Sequence, residues 1–420
     1  MKRKLIGIFT LLAVMSVFAA GCSLGTDKKE NEDATSKDLL HAEWEEVLEE
    51  ADGQTVNMYM WGGSDTINRY IDEWVAPRLK EESGVTLKRI PMNDTKDIIN
   101  QLLDEKQVGK ESGSMDIIWI NGENFKTAKE NDLLWGSFLE QLPNHNEYIA
   151  KDAPDINKDF GEDINGLEAP WGKAQFVFVY DQEKVKNPPK SMEELKQWVK
   201  ENPGKFTYPA LPDFTGSAFV RHALYETTGG YEQYFKPLEA QAHLNETVEP
   251  LWTYLNTIEP YLWREGKTYP ESLAKLDQLY ANGEVWMTMG YDPVRASAEI
   301  KKGLFPESSR TFVLDGGTLS NTHYLSIPFN SSHKSGAMTA INFMMSPDAQ
   351  IEKLDPNNWG DLMAIDPEKL SKEDQQRVSE VDLGSATLPA DVLSSHRLPE
   401  IPAAYVDVIE EGWMEHVAKN

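Results

Sequence analysis

The chain has one cysteine, Cys22, among its 420 residues. One thiol cannot form a disulfide framework within the chain or supply the several thiolates of a structural zinc site. If Cys22 is lipidated, as its sequence context predicts below, the folded part has no thiol and therefore no cysteine nucleophile. The sequence thus excludes the disulfide-stapled, zinc-thiolate and cysteine-hydrolase classes of protein.

Positive charge is also scarce, because 41 Lys and Arg residues stand against 69 Asp and Glu residues, for a net charge of −28. Proteins bind nucleic acids and anionic membrane surfaces through basic patches that release counterions. We therefore expect no nucleic-acid partner. Long apolar runs are scarce too: after residues 5–20, no segment reaches the roughly 20 apolar residues that a membrane helix needs.

The sequence also lacks the motifs of common catalytic and metal sites. It has no Gly-x-Ser-x-Gly nucleophile elbow, no His-Glu-x-x-His zinc helix and no glycine-rich dinucleotide loop. Residues 155–161 resemble the start of a calcium loop, but glycine falls at the seventh position and Gly166 takes the twelfth, where a bidentate Glu is required. We expect no catalytic residues, no metal site and no cofactor.

The N-terminal segment is organised like a secretory signal peptide. A basic start is followed by the apolar residues 5–20, and small residues stand directly before Cys22. Bacterial lipoproteins carry a cysteine at this position, and its thiol receives a diacylglyceryl group. The pattern predicts a signal peptide over residues 1–21, a lipid (palmitate-type) anchor on Cys22 and an extracytoplasmic, membrane-anchored protein.

The remaining chain predicts a spacer and two folded units. Residues 22–37 are short polar and charged residues, which cannot bury a core and predict a flexible spacer. The roughly 400 residues of the mature chain exceed one ordinary hydrophobic core and indicate two domains or lobes.

Strand-like and helix-like segments alternate in the first half of the chain. Apolar runs predict strands over residues 55–60, 85–90 and 115–120, and helical spacing predicts helices over residues 65–82 and 95–107. Near-continuous apolar runs are typical of strands buried on both faces of a parallel sheet. The alternation therefore predicts the α/β class.

Ligands of open α/β sheets bind beyond the carboxyl ends of the strands, so the residues there are the site candidates. Glycines in such loops allow the backbone to approach a ligand, and hydroxyls can cap the next helix. Three loops fit this description, at residues 61–65, 121–124 and 169–175. Their candidate ligand-binding residues are Trp61, Gly62, Gly63, Ser64, Asn121, Glu123, Asn124, Trp171 and Gln175.

Similar positions occur in the second half. Thr215 and Ser217 would be the cap and first-turn hydroxyls of a helix that reaches about Thr228. A strand over residues 284–289 is followed directly by further polar and aromatic candidates, and one histidine stands on a later strand end. These three candidates are Tyr291, Asp292 and His323.

Several of these stretches also carry a family resemblance. Residues 61–63, 121–125, 212–216, 260–267 and 359–361 follow one another as in one group of transport proteins, and the Tyr-Leu-Trp-Arg-Glu-Gly-Lys run in the fourth stretch is specific. The chain resembles the solute-binding lipoproteins of bacterial ABC importers, and among them the YnjB-type family of substrate-binding proteins. The family resemblance leads us to expect Asn where this chain has Asp292.

The resemblance implies a two-lobed, type II periplasmic-binding-protein fold with a hinge and an interlobe ligand cleft. One lobe would hold residues 38–171 and 320–353, and the other residues 173–318 and 354–420. Such lobes close around a small solute by bending at the hinge. The closed form then docks on a membrane permease that is driven by an ATPase.

The candidate residues favour one solute class without settling it. Aromatic faces beside carboxylates suit an organic cation through stacking and cation–π contact, whereas Trp with Asn and Gln suits a carbohydrate. Phosphate-like anions are disfavoured, because the carboxylates would repel them. We expect an organic cation ahead of a sugar. The alternative functions are a structural or interaction lipoprotein and an anchored hydrolase.

Overall fold

The strands of the protein form two sheets and a short hairpin. A computed structural model of the chain describes residues 38–92, 94–151, 153–236 and 244–418. The predicted signal peptide, Cys22 and the spacer lie outside the described residues. The strands are β1 Thr55–Trp61, β2 Thr86–Met92, β3 Ile117–Ile120, β4 Lys158–Asp159, β5 Glu162–Asp163, β6 Glu168–Gln175, β7 Val177–Asp181, β8 Met287–Gly290, β9 Ser309–Phe312, β10 Thr318–Ser326, β11 Leu362–Met363 and β12 Arg397–Pro399.

The α-helices of the described residues cover both sheets, with short 3₁₀ turns between some of them. They are α1 Trp44–Ala51, α2 Asp65–Arg69, α3 Ala76–Ser83, α4 Thr95–Gln107, α5 Glu123–Glu130, α6 Pro143–Tyr148, α7 Pro154–Asn157, α8 Met192–Glu201, α9 Phe214–Thr228, α10 Leu244–Ile258, α11 Leu273–Ala281, α12 Arg295–Lys301, α13 Lys334–Met344, α14 Pro347–Leu354, α15 Lys372–Glu380, α16 Ala390–Ser395 and α17 Ala404–His416.

The elements predicted for the first half of the chain are confirmed, with shifted ends. The helix predicted over residues 65–82 is divided into α2 and α3 by a π-helical turn, Tyr70–Val75. α4 begins where predicted, because Asp94 caps it by accepting a hydrogen bond from the Lys96 amide at 2.9 Å.

The larger sheet has the strand order β11-β6-β10-β3-β1-β2, and β12 pairs with β10. β1 runs parallel to β2 and β3, as their apolar sequences predict. β10 runs antiparallel to β3 and β6, so the sheet is mixed rather than parallel throughout. Because β1 and β3 are parallel neighbours, the loops that follow them lie side by side at one sheet edge.

The smaller sheet is antiparallel, with the order β8-β7-β9. One residue, Phe176, separates β6 of the larger sheet from β7 of the smaller one. The chain returns from β9 to β10 within the residues between Phe312 and Thr318. Two short connections therefore join the sheets.

Two hydrophobic clusters form the interior. The first surrounds the larger sheet and the second surrounds the smaller sheet and helices α8 to α11 and α17. Residues 354–370, which the sequence assigns to the second lobe, contribute Trp359, Ala364 and Leu370 to the first cluster. Phe160 belongs to the second cluster although its sequence position falls in the first lobe. The predicted lobe limits stay a prediction.

Among the residues that the structure describes, no helix combines the length and the apolar character needed to cross a bilayer.

Candidate functional site

The end of β1 and the segments that follow β1 and β3 place seven of the predicted residues at one edge of the larger sheet. Trp61 is 44% exposed, and its indole lies over Gly63 so closely that any side chain at Gly63 would collide with it. Ser64 caps α2 by accepting a hydrogen bond from the Ile67 amide at 3.5 Å. The edge therefore presents an aromatic face next to exposed backbone.

The second loop turns sharply at Gly122, whose φ of 63° and ψ of −134° disfavour any residue with a side chain. The Gly122 amide donates to Oδ2 of Asp159 at 2.6 Å, which fixes the turn. Glu123 begins α5 and is half-buried. The side-chain Nδ2 of Asn124 donates to Oε1 of Glu123 at 3.4 Å. Asn121 is partly exposed beside them.

The start of α9 differs in one respect from the sequence expectation. Thr215 was predicted as the cap, but Asp213 is the cap, because its Oδ1 accepts from the amides of Thr215 and Gly216 at 2.9 and 3.0 Å. A carboxylate two residues upstream is the stronger cap for free amides. Thr215 and Ser217 both lie in the first turn and are almost fully buried.

Arg221 and Glu400 form a buried ion pair below that turn. Arg221 is 1% exposed and Glu400 is 5% exposed. Nε of Arg221 donates to Oε2 of Glu400 at 3.0 Å, and Nη2 donates to Oε1 at 3.1 Å. The Tyr291 hydroxyl donates to the same carboxylate. Such a bidentate pair fixes the geometry of both side chains.

Two further carboxyl groups act on this pair. Nη1 of Arg221 donates to Oγ of Ser217 at 2.6 Å, and that hydroxyl donates to Oε1 of Glu410 at 2.7 Å. Glu123 acts on the pair from the edge of the larger sheet, since its charge and that of Arg221 influence each other's pKa. Arg221, Glu123, Glu400 and Glu410 are called the Arg221 cluster below.

The Arg221 cluster has an excess of carboxyl groups, three to one guanidinium. Burial raises the pKa of Glu123, and the charge of Glu410 adds to this while Arg221 opposes it. Burial also raises the pKa of Glu400 and of Glu410 although Arg221 opposes both shifts. Carboxyl groups with raised pKa values gain free energy from any additional cation placed among them.

Aromatic rings adjoin the Arg221 cluster. Phe214 is 45% exposed, and its ring centroid lies 5.1 Å from that of Tyr291. The Arg221 guanidinium lies 5.7 Å from the Phe214 ring and 5.6 Å from the Phe160 ring. The structure therefore brings together Glu123, Thr215, Ser217 and Tyr291 from the predicted set.

Sequence reasoning missed Arg221, Glu400, Glu410 and Phe214. A signal for Arg221 was present, because it is the one charged residue in the apolar segment 218–224. A lone charge inside such a helix indicates a buried ion pair. The partner carboxylate, 179 positions away, has no comparable signal in the sequence.

Trp171 and Gln175 lie in a strand rather than in a loop. Residues 169–175 were predicted as a strand-end loop, but they form most of β6, which pairs with β10 along its length. Trp171 is fully buried, 5.2 Å from the Trp119 ring and 4.9 Å from the Trp359 ring. Gln175 is also fully buried, and its amide donates to Thr318 Oγ1 at 3.1 Å.

His323 belongs to the same region, within β10 rather than at its end. Its Nε2 lies 2.9 Å from Oδ1 of Asp361, and Lys353 Nζ donates to Oδ2 of Asp361 at 2.5 Å. Burial acts to raise the pKa of Asp361, but Lys353 and His323 hold it below its ordinary value. A side chain at Gly172 would collide with both Asp361 and Lys353.

The Asp292 carboxyl group lies near Asp361, whereas the hydroxyl of its neighbour Tyr291 contacts Glu400. Its Oδ1 accepts from the Val294 amide at 2.9 Å. Burial raises the pKa of Asp292 to about 8, and the charge of Asp361 acts in the same direction. At neutral pH most of this carboxyl group is therefore protonated, so Asp292 adds little negative charge to the site.

A surface groove of about 680 Å³ lies elsewhere, between α8, α9 and α10, and shares no residue with the predicted site. Across the described ranges, no cluster of three or more His, Cys, Asp or Glu side chains is placed to hold a metal ion.

Comparison with known proteins identifies relatives that match most of the chain. A family model described as bacterial extracellular solute-binding protein matches residues 74–359. Protein YnjB of Escherichia coli (strain K12) is 37% identical over 374 residues, which cover 89% of this chain and 93% of that one.

Solved structures share the fold at low identity. A putative spermidine/putrescine ABC transporter from Listeria monocytogenes matches with a TM-score of 0.59 and 15% identity, over 86% of this chain and 98% of that chain. The apo ferric ion-binding protein A of Pasteurella haemolytica matches with a TM-score of 0.59 and 12% identity, over 87% and 98%. The solutes in these two names differ, so the fold alone does not decide the solute.

Proposed function

The chain belongs to the family of bacterial extracellular solute-binding proteins, and we propose that the solute it binds is a small organic cation. Its fold is the two-lobed type II periplasmic-binding-protein fold that the family resemblance implies. It serves as the solute-binding component of an ABC importer, which captures a small solute between two lobes for delivery to a membrane permease. The class of solute is the part that is proposed.

The Arg221 cluster carries this proposal. Three carboxyl groups converge there on one guanidinium, and Glu123 comes from the edge of the larger sheet while Glu400 and Glu410 come from the C-terminal part of the chain. Burial raises the pKa of all three although Arg221 opposes each shift, so one guanidinium does not fully compensate three ionised carboxylates. An ammonium group near Glu123 would supply the missing positive charge.

Exposed aromatic rings favour an organic cation over a metal ion or a sugar phosphate. Phe214 and Trp61 are each more than 40% exposed, and Phe214 adjoins the Tyr291 ring. An aromatic face attracts a cation through its negative quadrupole and stacks on planar groups. A phosphate would meet the carboxylates of Glu123 and Glu410 and be repelled.

The lining that we propose combines residues of both halves: Trp61, Gly62, Gly63, Ser64, Asn121, Glu123, Asn124, Phe214, Thr215, Ser217 and Tyr291. Trp171 and Gln175 are fully buried in β6, and His323 is partly buried in β10. We assign them to supporting the connection between the sheets, with no direct contact to solute. We assign no catalytic step to any of these residues.

A solute panel tests the proposal through binding affinity. We expect polyamines or planar organic cations to raise the melting temperature and to bind in titration calorimetry, and sugars and oxyanions to do neither. Glu123→Gln should weaken binding about 10- to 100-fold, since a hydrogen bond to a charged group contributes about 1.5–3 kcal/mol.

The matched control is Glu130→Gln, at the exposed end of the same helix, which should bind like the wild type. Selective binding of a sugar, with no loss in Glu123→Gln, would overturn the cation assignment while leaving the solute-binding function in place. A protein that binds no member of a broad panel and never closes would favour an interaction lipoprotein. Turnover of a panel member would favour the hydrolase.

The membrane anchor is also a proposal. Residues 5–22 combine an apolar stretch with small residues before Cys22, so we propose signal-peptide removal and lipidation of Cys22. Cys22→Ala should abolish incorporation of labelled palmitate and release the protein from the membrane fraction. Normal anchoring of that variant would contradict the assignment. Cys22→Ser is a second variant that keeps the size of the side chain.

A further inference from the structure

Glu168, the first residue of β6, is a fully buried carboxylate with an unusual environment. Neither of its side-chain oxygens has a hydrogen-bond partner among the described residues. Asp159 of β4 is 1% exposed, and its Oδ1 likewise has no partner. Buried carboxylate oxygens are nearly always paired, because their desolvation is costly.

The two carboxyl groups are close enough to influence each other. Burial raises the pKa of Glu168, and the charge of Asp159 raises it further. Burial raises the pKa of Asp159 as well, with contributions from Glu123 and Glu400. Neither carboxyl group can therefore ionise readily unless a cation lies beside it.

A third unpaired oxygen group lies in the same place. Ser326 is fully buried on β10, and its Oγ has no hydrogen-bond partner among the described residues. Ser326 and Glu168 are directly opposite each other in the antiparallel pairing of β10 with β6. Opposed residues project from the same face of a sheet, so the side chains of Ser326 and Glu168 extend to the same side, without a hydrogen bond between them.

Tyr324, two residues before Ser326 on the same face, holds the Asp159 segment against the sheet. Its hydroxyl lies 3.0 Å from the Ile156 carbonyl and 3.2 Å from the Lys158 carbonyl. Asp159 is thereby fixed next to β10. The positions of the three oxygen-bearing groups are set by strand pairing and not by flexible loops.

The influences resolved for the carboxyl groups of Glu168 and Asp159 include little positive charge. Lys129 is the one cation that acts on the Glu168 carboxyl group among the influences resolved for it. Its Nζ donates to the Asp163 carbonyl at 2.6 Å and lies 3.8 Å from Glu162, so its charge is already engaged. The remaining groups that act on Asp159 are acidic.

We propose that Asp159, Glu168 and Ser326 bind a hard metal cation of the calcium type. Glu168 supplies two oxygens, Asp159 one through Oδ1 and Ser326 one through its hydroxyl. Oxygen ligands of this kind suit Ca²⁺, which takes six to eight at flexible geometry, so water or backbone carbonyl oxygens would fill the positions beyond these four. A site without imidazole or thiolate suits few transition metals. The sequence expectation of no metal site rested on the incomplete calcium-loop pattern and on the absence of a zinc motif, and the proposed site shares only Asp159 with that loop pattern.

The proposed site adjoins the solute loop. Asp159 uses its other oxygen, Oδ2, to accept the Gly122 amide at 2.6 Å, directly before Glu123. A cation on Oδ1 would hold the Asp159 carboxylate ionised and its bond to Gly122 charge-assisted. The cation would thereby order the turn that positions Glu123. This inference does not depend on which solute the protein binds.

The test is calcium binding by protein that has been treated with a chelator. We expect titration calorimetry to find one bound Ca²⁺ and the melting temperature to rise by about 3 °C or more at saturating Ca²⁺. Mg²⁺ and Na⁺ serve as comparison ions. Glu168→Gln should abolish the rise while melting no lower than the wild type in chelator, since the amide carries no buried charge.

Glu130→Gln is the matched control, because Glu130 is an exposed acid at the end of α5 and is not among the groups that act on Asp159 or Glu168. It should keep the calcium response. Ser326→Ala should reduce calcium affinity and provides a second variant if Glu168→Gln does not fold. If wild-type protein binds no cation, the carboxyl pair is kept neutral by protons and the proposal is wrong. A response unchanged in both Glu168→Gln and Ser326→Ala would place the ion elsewhere and also overturn it.

Discussion

The Trp171→Ala variant is expected to lose about 3–5 kcal/mol of its free energy of unfolding. Trp171 is fully buried between the rings of Trp119 and Trp359, at centroid distances of 5.2 and 4.9 Å. Removing an indole from such a place leaves a cavity that the rigid strands β6 and β10 cannot close. Urea unfolding monitored by circular dichroism measures the loss.

Trp61→Ala is the comparison variant. Its indole is 44% exposed at the end of β1, so its removal should cost less than about 1 kcal/mol of stability. It should weaken solute binding instead. Equal destabilisation by the two changes would show that Trp61 is part of the core. A Trp171→Ala protein of normal stability that fails to bind solute would place Trp171 in the cleft.

The contrast between these two tryptophans shows what the sequence could predict. The loop at residues 61–64 was found because it directly follows a strand with a clear apolar pattern. β6 was not found, because Pro170 and Gly172 are typical of loops. Its pairing with β10, which lies almost 150 positions further on, overrides that local preference. Local composition carries no information about such a partner.

The overall fold was more predictable than the site. Alternating helices and apolar strands give the α/β class directly, and β1, β2 and β3 appear within a few residues of their predicted bounds. The Arg221 cluster joins residues from three separate parts of the sequence, 123, 221 and 400–410. Sequence reasoning identified Glu123 alone, since it closely follows the apolar strand β3, whereas the other members do not stand at the end of a predicted strand.

Arg221→Met is expected to destabilise the protein by about 3–5 kcal/mol at pH 8. The change leaves Glu400 buried, 5% exposed, without its bidentate partner. The cost of an uncompensated buried charge exceeds the net value of the intact pair. Chemical unfolding at fixed pH measures the difference, and the double change Arg221→Met with Glu400→Leu should recover most of it.

The pH dependence distinguishes this cause from a simple packing defect. Burial already raises the pKa of Glu400 above its ordinary value although Arg221 opposes the shift, and the loss of Arg221 raises it further. When the pKa of a carboxyl group is higher in the folded than in the unfolded state, the free energy of unfolding falls as the pH rises from the unfolded-state pKa to the folded-state pKa. The reason is that the unfolded state releases its proton first. Arg221→Met should therefore be closer to the wild type at pH 5 than at pH 8.

Arg377→Met, which removes an exposed partner of Asp348 and Asp374, should cost less than about 1 kcal/mol at either pH. If Arg221→Met were no more costly than this control, the Glu400 carboxylate would have to be solvated, and the Arg221 cluster could not lack positive charge as the proposed cation site requires.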